Sequence, residues 1–323
     1  MTILSANIPR NRTADLSADS FQSMKSVKLV PVSNIDEIEK AKNKQEVEKL
    51  NIRTKTFDNL SSLNDERTCH SVRTNTTTHL RQYYDPEDYL FFGNSEGCIR
   101  QYSLRDKKII RVFSTFPSIR KVLVLQITPN KKYLFVGYQG GFLEQWSIKH
   151  AIIAKDYGQA HKGDLWSMSI TQSGKYVFTA DSIGNLKQWS IKKKILVKDY
   201  ELPHNTFISI ILMSYDGDVF YTAGRYGILK EWSIHKRKIV KDWGKIHTQT
   251  INTLAISKNN KCLYTGSSNG KIKEWDCQTS ELVMNFGQVH ELAILKLEVI
   301  DKEQCFFSIC LAGNLKQWNC KDR

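Results

Sequence analysis

The sequence lacks the features that would place it among membrane, secreted or disulfide-bonded proteins. It has no apolar run of about 18 residues or more, the length that a membrane-spanning helix needs, and Met1–Arg10 has no apolar core like that of a secretory signal. Its seven cysteines include no Cys-x-x-Cys pair. We therefore expect a chain without a transmembrane segment that works in a reducing compartment, the cytoplasm, with the nucleus as an alternative.

Two motifs that often mark catalysis are also missing. The sequence has no GxxxxGK[ST] phosphate-binding loop and no HExxH zinc motif. The aspartates that do recur, Asp156, Asp199 and Asp242, each follow a lysine at the same place in a repeat, whereas a catalytic group normally occurs once. We therefore predict that the chain is not an enzyme and has no catalytic residue, cofactor or metal, although fold alone does not exclude catalysis.

The sequence does contain a seven-residue motif that recurs at a constant interval. Residues 184–190 read GNLKQWS, and related motifs occur at 141–147, 227–233, 270–276 and 313–319, with a weaker copy at 97–103. Their aromatic residues are Tyr102, Trp146, Trp189, Trp232, Trp275 and Trp318, which are 44, 43, 43, 43 and 43 residues apart. This regularity predicts a repeat protein with six recognisable units.

A period near 43 that contains several short strands is typical of a four-stranded propeller blade. Within the unit 147–189, we predict strands over 151–157, 165–171, 176–180 and 185–190, separated by turn residues. Apolar runs such as 153–157 predict strands covered on both faces, because each blade would pack between two others. A glycine stands five residues before every aromatic and predicts a tight turn with positive φ.

These units resemble the WD40 repeat family, with Trp-Ser in most places where the family has Trp-Asp. The resemblance implies an all-β propeller of six or seven blades over residues 65–323. It also implies a hydrogen-bonded set of His, Ser or Thr, and Trp inside each blade. The matching residues are His161, His204, His247 and His290, then Thr179, Thr222, Thr265 and Ser308, and finally Trp146, Trp189, Trp232, Trp275 and Trp318.

The chain also departs from the family pattern. Units one and two lack the His, and the family's Asp is expected just before the turn glycine, where no unit has one. A Gln or Glu precedes each aromatic, where the family usually has an apolar residue: Gln101, Gln145, Gln188, Glu231, Glu274 and Gln317. We expect these side chains to find partners on adjacent strands. The alternative is a ring of acceptors that lines a ligand channel.

Residues 1–64 are predicted to be an N-terminal extension. Residues 1–26 are polar and predicted to be disordered, and a short helix is predicted near 35–50, after a capping box at Asn34 and Glu37. The sequence ends soon after Trp318, so the last blade would need an outer strand from residues 66–72 or 27–32. The first choice gives six blades, and a seventh would have to come from 19–65.

An excess of positive charge predicts one basic face. Lysine and arginine number 47 and aspartate and glutamate 33, for a net charge of +14. By resemblance, the turns after the first and third strands of each blade share a face, and the lysine-rich stretches fall in these turns. The candidate residues are Lys107, Lys108, Lys192, Lys193, Lys194, Lys236, Arg237 and Lys238. Such a face would attract acidic protein segments, nucleic acid or anionic lipid, unless these lysines are merely solvated.

The opposite face, near the channel mouth, is where the family commonly binds peptides. By resemblance, the residue five after each His would lie there, and so would Arg225, two before a turn glycine. The candidate contacts are Trp166, Arg225, Leu295, Asn252 and Ser209. The leading hypothesis is a non-catalytic scaffold for protein partners of unknown identity. The alternative is a basic-face adaptor for nucleic acid or anionic phospholipid.

Overall fold

A computed structural model describes residues 83–85, 89–113, 120–200, 203–300 and 305–319, which belong to one compact unit. These residues form 23 strands in six antiparallel sheets and almost no helix. The predicted helix at 35–50, the extension 1–64, and the segments 27–32 and 66–72 lie outside the described residues.

Each sheet follows its strands in chain order, so the first strand lies at one edge and the last at the other. Sheet 1 contains β1 (Tyr83–Asp85), β2 (Tyr89–Gly93), β3 (Ile99–Ser103) and β4 (Lys108–Phe113). Sheet 2 contains β5 (Val122–Ile127), β6 (Tyr133–Tyr138), β7 (Phe142–Ser147) and β8 (Ile152–Gln159). Sheet 3 contains β9 (Leu165–Ile170), β10 (Tyr176–Asp181), β11 (Leu186–Ser190) and β12 (Ile195–Asp199).

The remaining sheets repeat this plan. Sheet 4 contains β13 (Ile208–Met213), β14 (Val219–Gly224), β15 (Ile228–Ser233) and β16 (Lys238–Lys245). Sheet 5 contains β17 (Ile251–Ile256), β18 (Cys262–Ser267), β19 (Lys271–Asp276) and β20 (Leu282–Gln288). Sheet 6 contains β21 (Ile294–Ile300), β22 (Cys305–Cys310) and β23 (Leu315–Asn319), so its described part has three strands.

Neighbouring sheets meet through their first strands, which are the inner strands of a propeller. Strand β9 contacts β5 and β13, and β17 contacts β13 and β21. The last strand of each four-stranded sheet is therefore the outer strand. The sequence repeat and the sheet are out of phase, because the unit 147–189 supplies the outer strand of sheet 2 and three strands of sheet 3.

Local predictions from the repeat are confirmed. The four strands predicted in the unit 147–189 correspond to β8, β9, β10 and β11, with ends that agree within two residues. All six turn glycines have positive φ, between 74° and 101°. At Gly270 a side chain is excluded twice, since φ is 75° and a Cβ would lie 1.8 Å from the carbonyl oxygen of His290.

The prediction that runs such as 153–157 are covered on both faces was wrong for the outer strands. Ile152 and Ile153 are exposed on β8, and the same holds for Ile195 and Leu196 on β12. The inner strands are the ones buried between sheets, and β17 has only one residue that is not fully buried. An outer strand has no strand beyond it, so an apolar run there remains at the surface.

Candidate functional site

In sheets 3 to 6, a buried histidine, a hydroxyl and an indole form one hydrogen-bonded set per sheet. The Nε2 atoms of His161, His204, His247 and His290 lie 2.6, 2.7, 2.7 and 2.8 Å from the hydroxyl oxygens of Thr179, Thr222, Thr265 and Ser308. The same hydroxyl oxygens accept the indole N–H of Trp189, Trp232, Trp275 and Trp318 at 2.8–3.0 Å. Each set joins residues of its own sheet and the preceding connection, so the four histidines do not converge on one site.

The missing aspartate of the family pattern is present in sheet 3, at an unexpected place. Asp181 lies three residues before the turn glycine, and its carboxylate is 3.3 Å from Nδ1 of His161. It also accepts the backbone N–H groups of Ile183 and Asn185. Burial alone would raise the pKa of Asp181, but the hydrogen bonds from His161 and Asn185 outweigh it and lower the pKa to about 2.

The other three histidines lack this partner. Nδ1 of His204, His247 and His290 is buried and has no hydrogen-bond partner among the described residues. Burial lowers the pKa of His204 to about 3 and the pKa of His247 and His290 to about 4, because the charged imidazolium loses its hydration. These histidines are therefore neutral at physiological pH, and their role is structural, as buried hydrogen-bonding groups within the sheet.

Sheet 2, whose repeat lacks the histidine, satisfies its tryptophan differently. The indole N–H of Trp146 donates to Glu144 at 2.9 Å, and the hydroxyl of Tyr138 donates to the same carboxylate oxygen at 2.5 Å. Burial raises the pKa of Glu144, and these two donors oppose that shift only in part. Sequence reasoning predicted Trp146 but missed its partners, because Glu144 and Tyr138 are not members of the family's His, Ser or Thr, and Trp set.

Three of the six Gln and Glu residues before the aromatics have a partner on the outer strand of their own sheet, whereas Oε1 of Gln101 and Nε2 of Gln145 and Gln188 are buried without a partner among the described residues. The hydroxyls of Tyr157 and Tyr200 donate to Gln145 and Gln188 at 3.0 Å, and the indole N–H of Trp243 donates to Glu231 at 3.2 Å. Tyr157, Tyr200, Trp243 and Phe286 are again 43 residues apart. Their rings pack edge to face on Trp189, Trp232, Trp275 and Trp318 of the next sheet, with centroids 5.3–6.1 Å apart. These contacts support the structural explanation over a ligand channel.

The candidates five residues after each histidine share one structural position. Trp166, Ser209, Asn252 and Leu295 are each the extra residue of a β-bulge on an inner strand. Bulges re-aim side chains. Two of these side chains bridge to the next sheet, since the Ser209 hydroxyl donates to the carbonyl of Ile251 and the Asn252 amide donates to that of Ile294 at 3.2 Å. Ser209 is buried, whereas Leu295 is 42% exposed.

Trp166 and Arg225 belong to one aromatic patch, which consists of Trp166, Phe207, Arg225 and Tyr226. The rings of Trp166 and Phe207 meet edge to face at 5.7 Å. The backbone N–H of Arg225 donates to the carbonyl of Phe207 at 3.0 Å, and its guanidinium lies 5.9 Å from the ring centre of Tyr226. The patch therefore spans sheets 3 and 4, at the end of β14 where the turn to β15 begins.

Tyr226 is the member of this patch that sequence reasoning missed as a contact. The residue is 59% exposed, and its φ of 63° lies in the left-handed region, which is unfavourable for an aromatic residue. It occupies the position just before a turn glycine, where the family aspartate was expected. The unusual residue at this place in the repeat was the available indication.

The basic turns lie at the opposite end of the strands. Lys107, Lys108, Lys192, Lys193, Lys236, Arg237 and Lys238 are exposed, and Lys194 is half-buried because its ammonium donates to the carbonyl of Ala154 at 2.9 Å. In sheets 2 to 5 the turn between third and fourth strands is hydrogen-bonded to the turn between first and second strands, as from Ile191 N–H to the Lys175 carbonyl at 3.1 Å. These turns therefore form one end of each sheet.

The described residues offer little for catalysis. Gly266–Gly270 matches the GxSxG pattern of hydrolases, but this segment joins strands β18 and β19, whereas the nucleophile of those enzymes lies between a strand and a helix. Within the described ranges, no three His, Cys, Asp or Glu side chains are placed to hold a metal ion. No described helix has the length and apolar character needed to cross a membrane.

Comparisons with known proteins agree with the repeat. Residues 243–276, which contain His247, Thr265 and Trp275, match the family model described as WD domain, G-beta repeat. No curated protein matches the sequence. Among 1860 matching solved chains is the crystal structure of the computationally designed Ika8 protein, with 20% identity and a TM-score of 0.62 over 75% of this chain and 70% of that one. A fold this widespread does not specify a function.

Proposed function

We propose that this chain, whose residues 243–276 match the WD40 repeat family model and whose fold is that of a β-propeller, is a non-catalytic WD40-repeat scaffold that binds a protein segment at the aromatic patch. Proteins of this family generally serve as interaction scaffolds, which makes binding the expected kind of activity. We expect the complex to form in the cytoplasm.

One observation carries this proposal: an exposed Tyr226 held at positive φ beside Arg225. A tyrosine in this conformation costs about 1 kcal/mol or more, and exposure of its ring gains nothing within the folded chain. Tyr, Trp and Arg dominate the residues on which protein interfaces depend. The half-buried Trp166 and the exposed Ile183 extend the apolar surface. We expect a partner segment with an aromatic or aliphatic anchor and a carboxylate for Arg225.

The test is selection of peptides from a random display library on the full chain. We expect the selected peptides to bind the wild-type protein and to lose at least about tenfold in affinity on Tyr226→Ala, Trp166→Ala or Arg225→Glu. The matched control is Tyr215→Ala. Tyr215 is another exposed tyrosine of sheet 4, at the opposite end of β14.

Peptides that bind Tyr226→Ala as tightly as the wild type would contradict the proposal. So would peptides that depend on Tyr215 and not on Tyr226. Urea unfolding of each variant separates lost binding from lost folding.

A further inference from the structure

We propose that the basic turns and the outer strands of sheets 1 to 4 form a surface that binds an anionic lipid bilayer. This surface, the basic rim, is distinct from the aromatic patch, because it lies at the other end of the strands. Its charged members are Lys107, Lys108, Lys149, Lys192, Lys193, Lys236, Arg237 and Lys238, all of them exposed. Its apolar members are Ile110, Ile152, Ile153, Ile195, Leu196, Ile239 and Val240.

The apolar members are exposed to an extent that the fold does not require. Ile152, Ile195 and Val240 expose 59, 53 and 54% of their surface. Single exposed aliphatic residues are common on protein surfaces, but these occur as adjacent pairs near the start of three successive outer strands. Ile153, Leu196 and Ile239 occupy equivalent positions, each opposite the tryptophan of its sheet, and the pair of sheet 4 lies one residue later than the other two. Each pair follows directly on the basic turn of its sheet. Charge and apolar surface are therefore side by side in every repeat from sheet 2 to sheet 4.

Contacts between neighbouring sheets join these pieces. The guanidinium of Arg111 on β4 donates to the carbonyls of Ile148 and Lys149 in the basic turn of sheet 2. The ammonium of Lys194 in the turn of sheet 3 donates to the carbonyl of Ala154, next to Ile153 on β8. The outer strands of sheets 1 and 2 thus each adjoin the basic turn of the next sheet.

The acidic residues nearby are partly engaged by partners of their own. Asp106 accepts a hydrogen bond from the hydroxyl of Ser103 at 2.9 Å, and Asp218 lies 3.5 Å from His235. On the outer strands, Asp199 lies 3.4 Å from the ammonium of Lys187, and Asp242 lies 2.7 Å from that of Lys230. The turns of sheets 3 and 4 themselves contain no acid between residues 191 and 198 or between 234 and 241. The rim is therefore basic where its apolar pairs are exposed.

This combination favours a bilayer over nucleic acid. Phosphate attracts lysine in either case, but nucleic acid offers no apolar layer for Ile and Val, and single strands are held by aromatic stacking. No Phe, Tyr or Trp stands in the turns 105–108, 149–151, 192–194 or 235–238. At a membrane surface, lysine and arginine meet anionic headgroups while aliphatic side chains enter the boundary with the acyl chains.

Sheet 5 provides an internal control. Its turn contains Asp276 and Glu281 and no lysine, yet Leu282 and Val283 are exposed on β20 just as Ile239 and Val240 are on β16. Apolar exposure without the basic turn should not suffice for binding.

The test is co-sedimentation of the full chain with vesicles of phosphatidylcholine that contain about 30% phosphatidylserine, compared with phosphatidylcholine alone. We expect binding to the anionic vesicles only. The triple variant Lys236→Glu, Arg237→Glu, Lys238→Glu should weaken it about a hundredfold, and the independent double variant Lys192→Glu, Lys193→Glu should weaken it more than tenfold. The double variant Ile239→Gln, Val240→Gln should weaken it about tenfold, and Leu282→Gln, Val283→Gln less than about twofold.

Three results would overturn the proposal. One is absence of the wild-type protein from the sedimented anionic vesicles. Another is equal weakening by the sheet 4 and sheet 5 apolar variants, which would indicate unspecific adhesion. The third is unchanged vesicle binding by the Ile239 and Val240 variant together with full competition by a DNA duplex, which would assign the rim to nucleic acid. All substituted residues are exposed, and urea unfolding checks that each variant is folded.

Discussion

At the scale of single residues, one physical requirement is met by different side chains. A buried indole N–H must find an acceptor, because an unpaired donor in the interior is costly. Trp189 uses the hydroxyl of Thr179, whereas Trp146 uses the carboxylate of Glu144. The tryptophan therefore keeps its position in the sheet, while the residue that accepts its hydrogen bond differs from sheet to sheet.

The buried pair of His161 and Asp181 gives the first prediction at this scale. Asp181→Ala should lower the free energy of unfolding by about 3 kcal/mol, because a charged acceptor of several hydrogen bonds is removed from the interior. The equivalent residue of sheet 5 is Ser267, and Ser267→Ala should cost only about 1 kcal/mol. Urea unfolding measures both values.

A second measurement makes this prediction specific. Asp181 raises the pKa of His161 against the stronger lowering by burial, so the pKa of His161 should fall further in Asp181→Ala. An NMR titration of the histidine resonances measures the pKa of His161 in both proteins. Equal destabilisation by the two alanine variants, or an unchanged His161, would contradict the role given to the carboxylate.

At the scale of strands, the outer strand has two unlike functions. Its start is exposed and carries the aliphatic pairs, while its aromatic residue reaches inward to the next sheet. Tyr200 shows the second function, since its ring lies 5.3 Å from that of Trp232 and its hydroxyl donates to Gln188. Burial raises the pKa of Tyr200 to about 12, as expected for a phenol away from water. An outer strand thus ties its own sheet to the following one.

Substitutions of Tyr200 separate these contributions. Tyr200→Phe should lower the free energy of unfolding by about 1 kcal/mol, because Gln188 loses the hydroxyl that it accepts from. Tyr200→Ala should cost about 3–5 kcal/mol, because a cavity remains between two sheets. Phe286, which packs on Trp318 without a hydroxyl, shows that phenylalanine fits this position. Nearly equal losses for the two variants in urea unfolding would refute the dominance of ring packing.

At the scale of the whole molecule, small contributions to the free energy of unfolding add up because the same buried histidine recurs in several sheets. The histidines of sheets 4, 5 and 6 are all buried without a partner for Nδ1 among the described residues, and burial lowers the pKa of each. Below about pH 6.5 the unfolded chain binds protons at these positions, while the folded chain does not. The contribution of these neutral histidines to stability is therefore fully present above that pH and is lost as the pH falls.

The expected result is a free energy of unfolding that declines from about pH 6.5 toward pH 4, with a limit of about 1.4 kcal/mol per histidine and pH unit. Urea unfolding at several pH values measures the slope. Burial raises the pKa of Glu144 and Glu231, which has the opposite sign, so the comparison is with His247→Gln. This variant should have a smaller slope than the wild type, and an identical slope would rule out the histidine explanation.

Sheet 6 is less well buried than the repeat would suggest. Phe307 and Leu315 are only partly buried and Gln317 is exposed, whereas the equivalent residues of sheet 5 are buried. One face of sheet 6 is thus less covered by the described residues than the same face of its neighbour. The outer strand expected for this sheet, from 66–72 or 27–32, stays a prediction.

The sequence by itself determined the period, the strands, the turn glycines and the pairing of histidine, hydroxyl and tryptophan, because each of these is local or recurs every 43 residues. Only the tertiary structure decided that Asp181 reaches His161, that Tyr200 reaches Gln188, and that Tyr226 is exposed beside Arg225. Burial was the least predictable property. An apolar run such as 152–153 has the same composition in an inner or an outer strand, and only its place in the sheet decides whether another strand covers it.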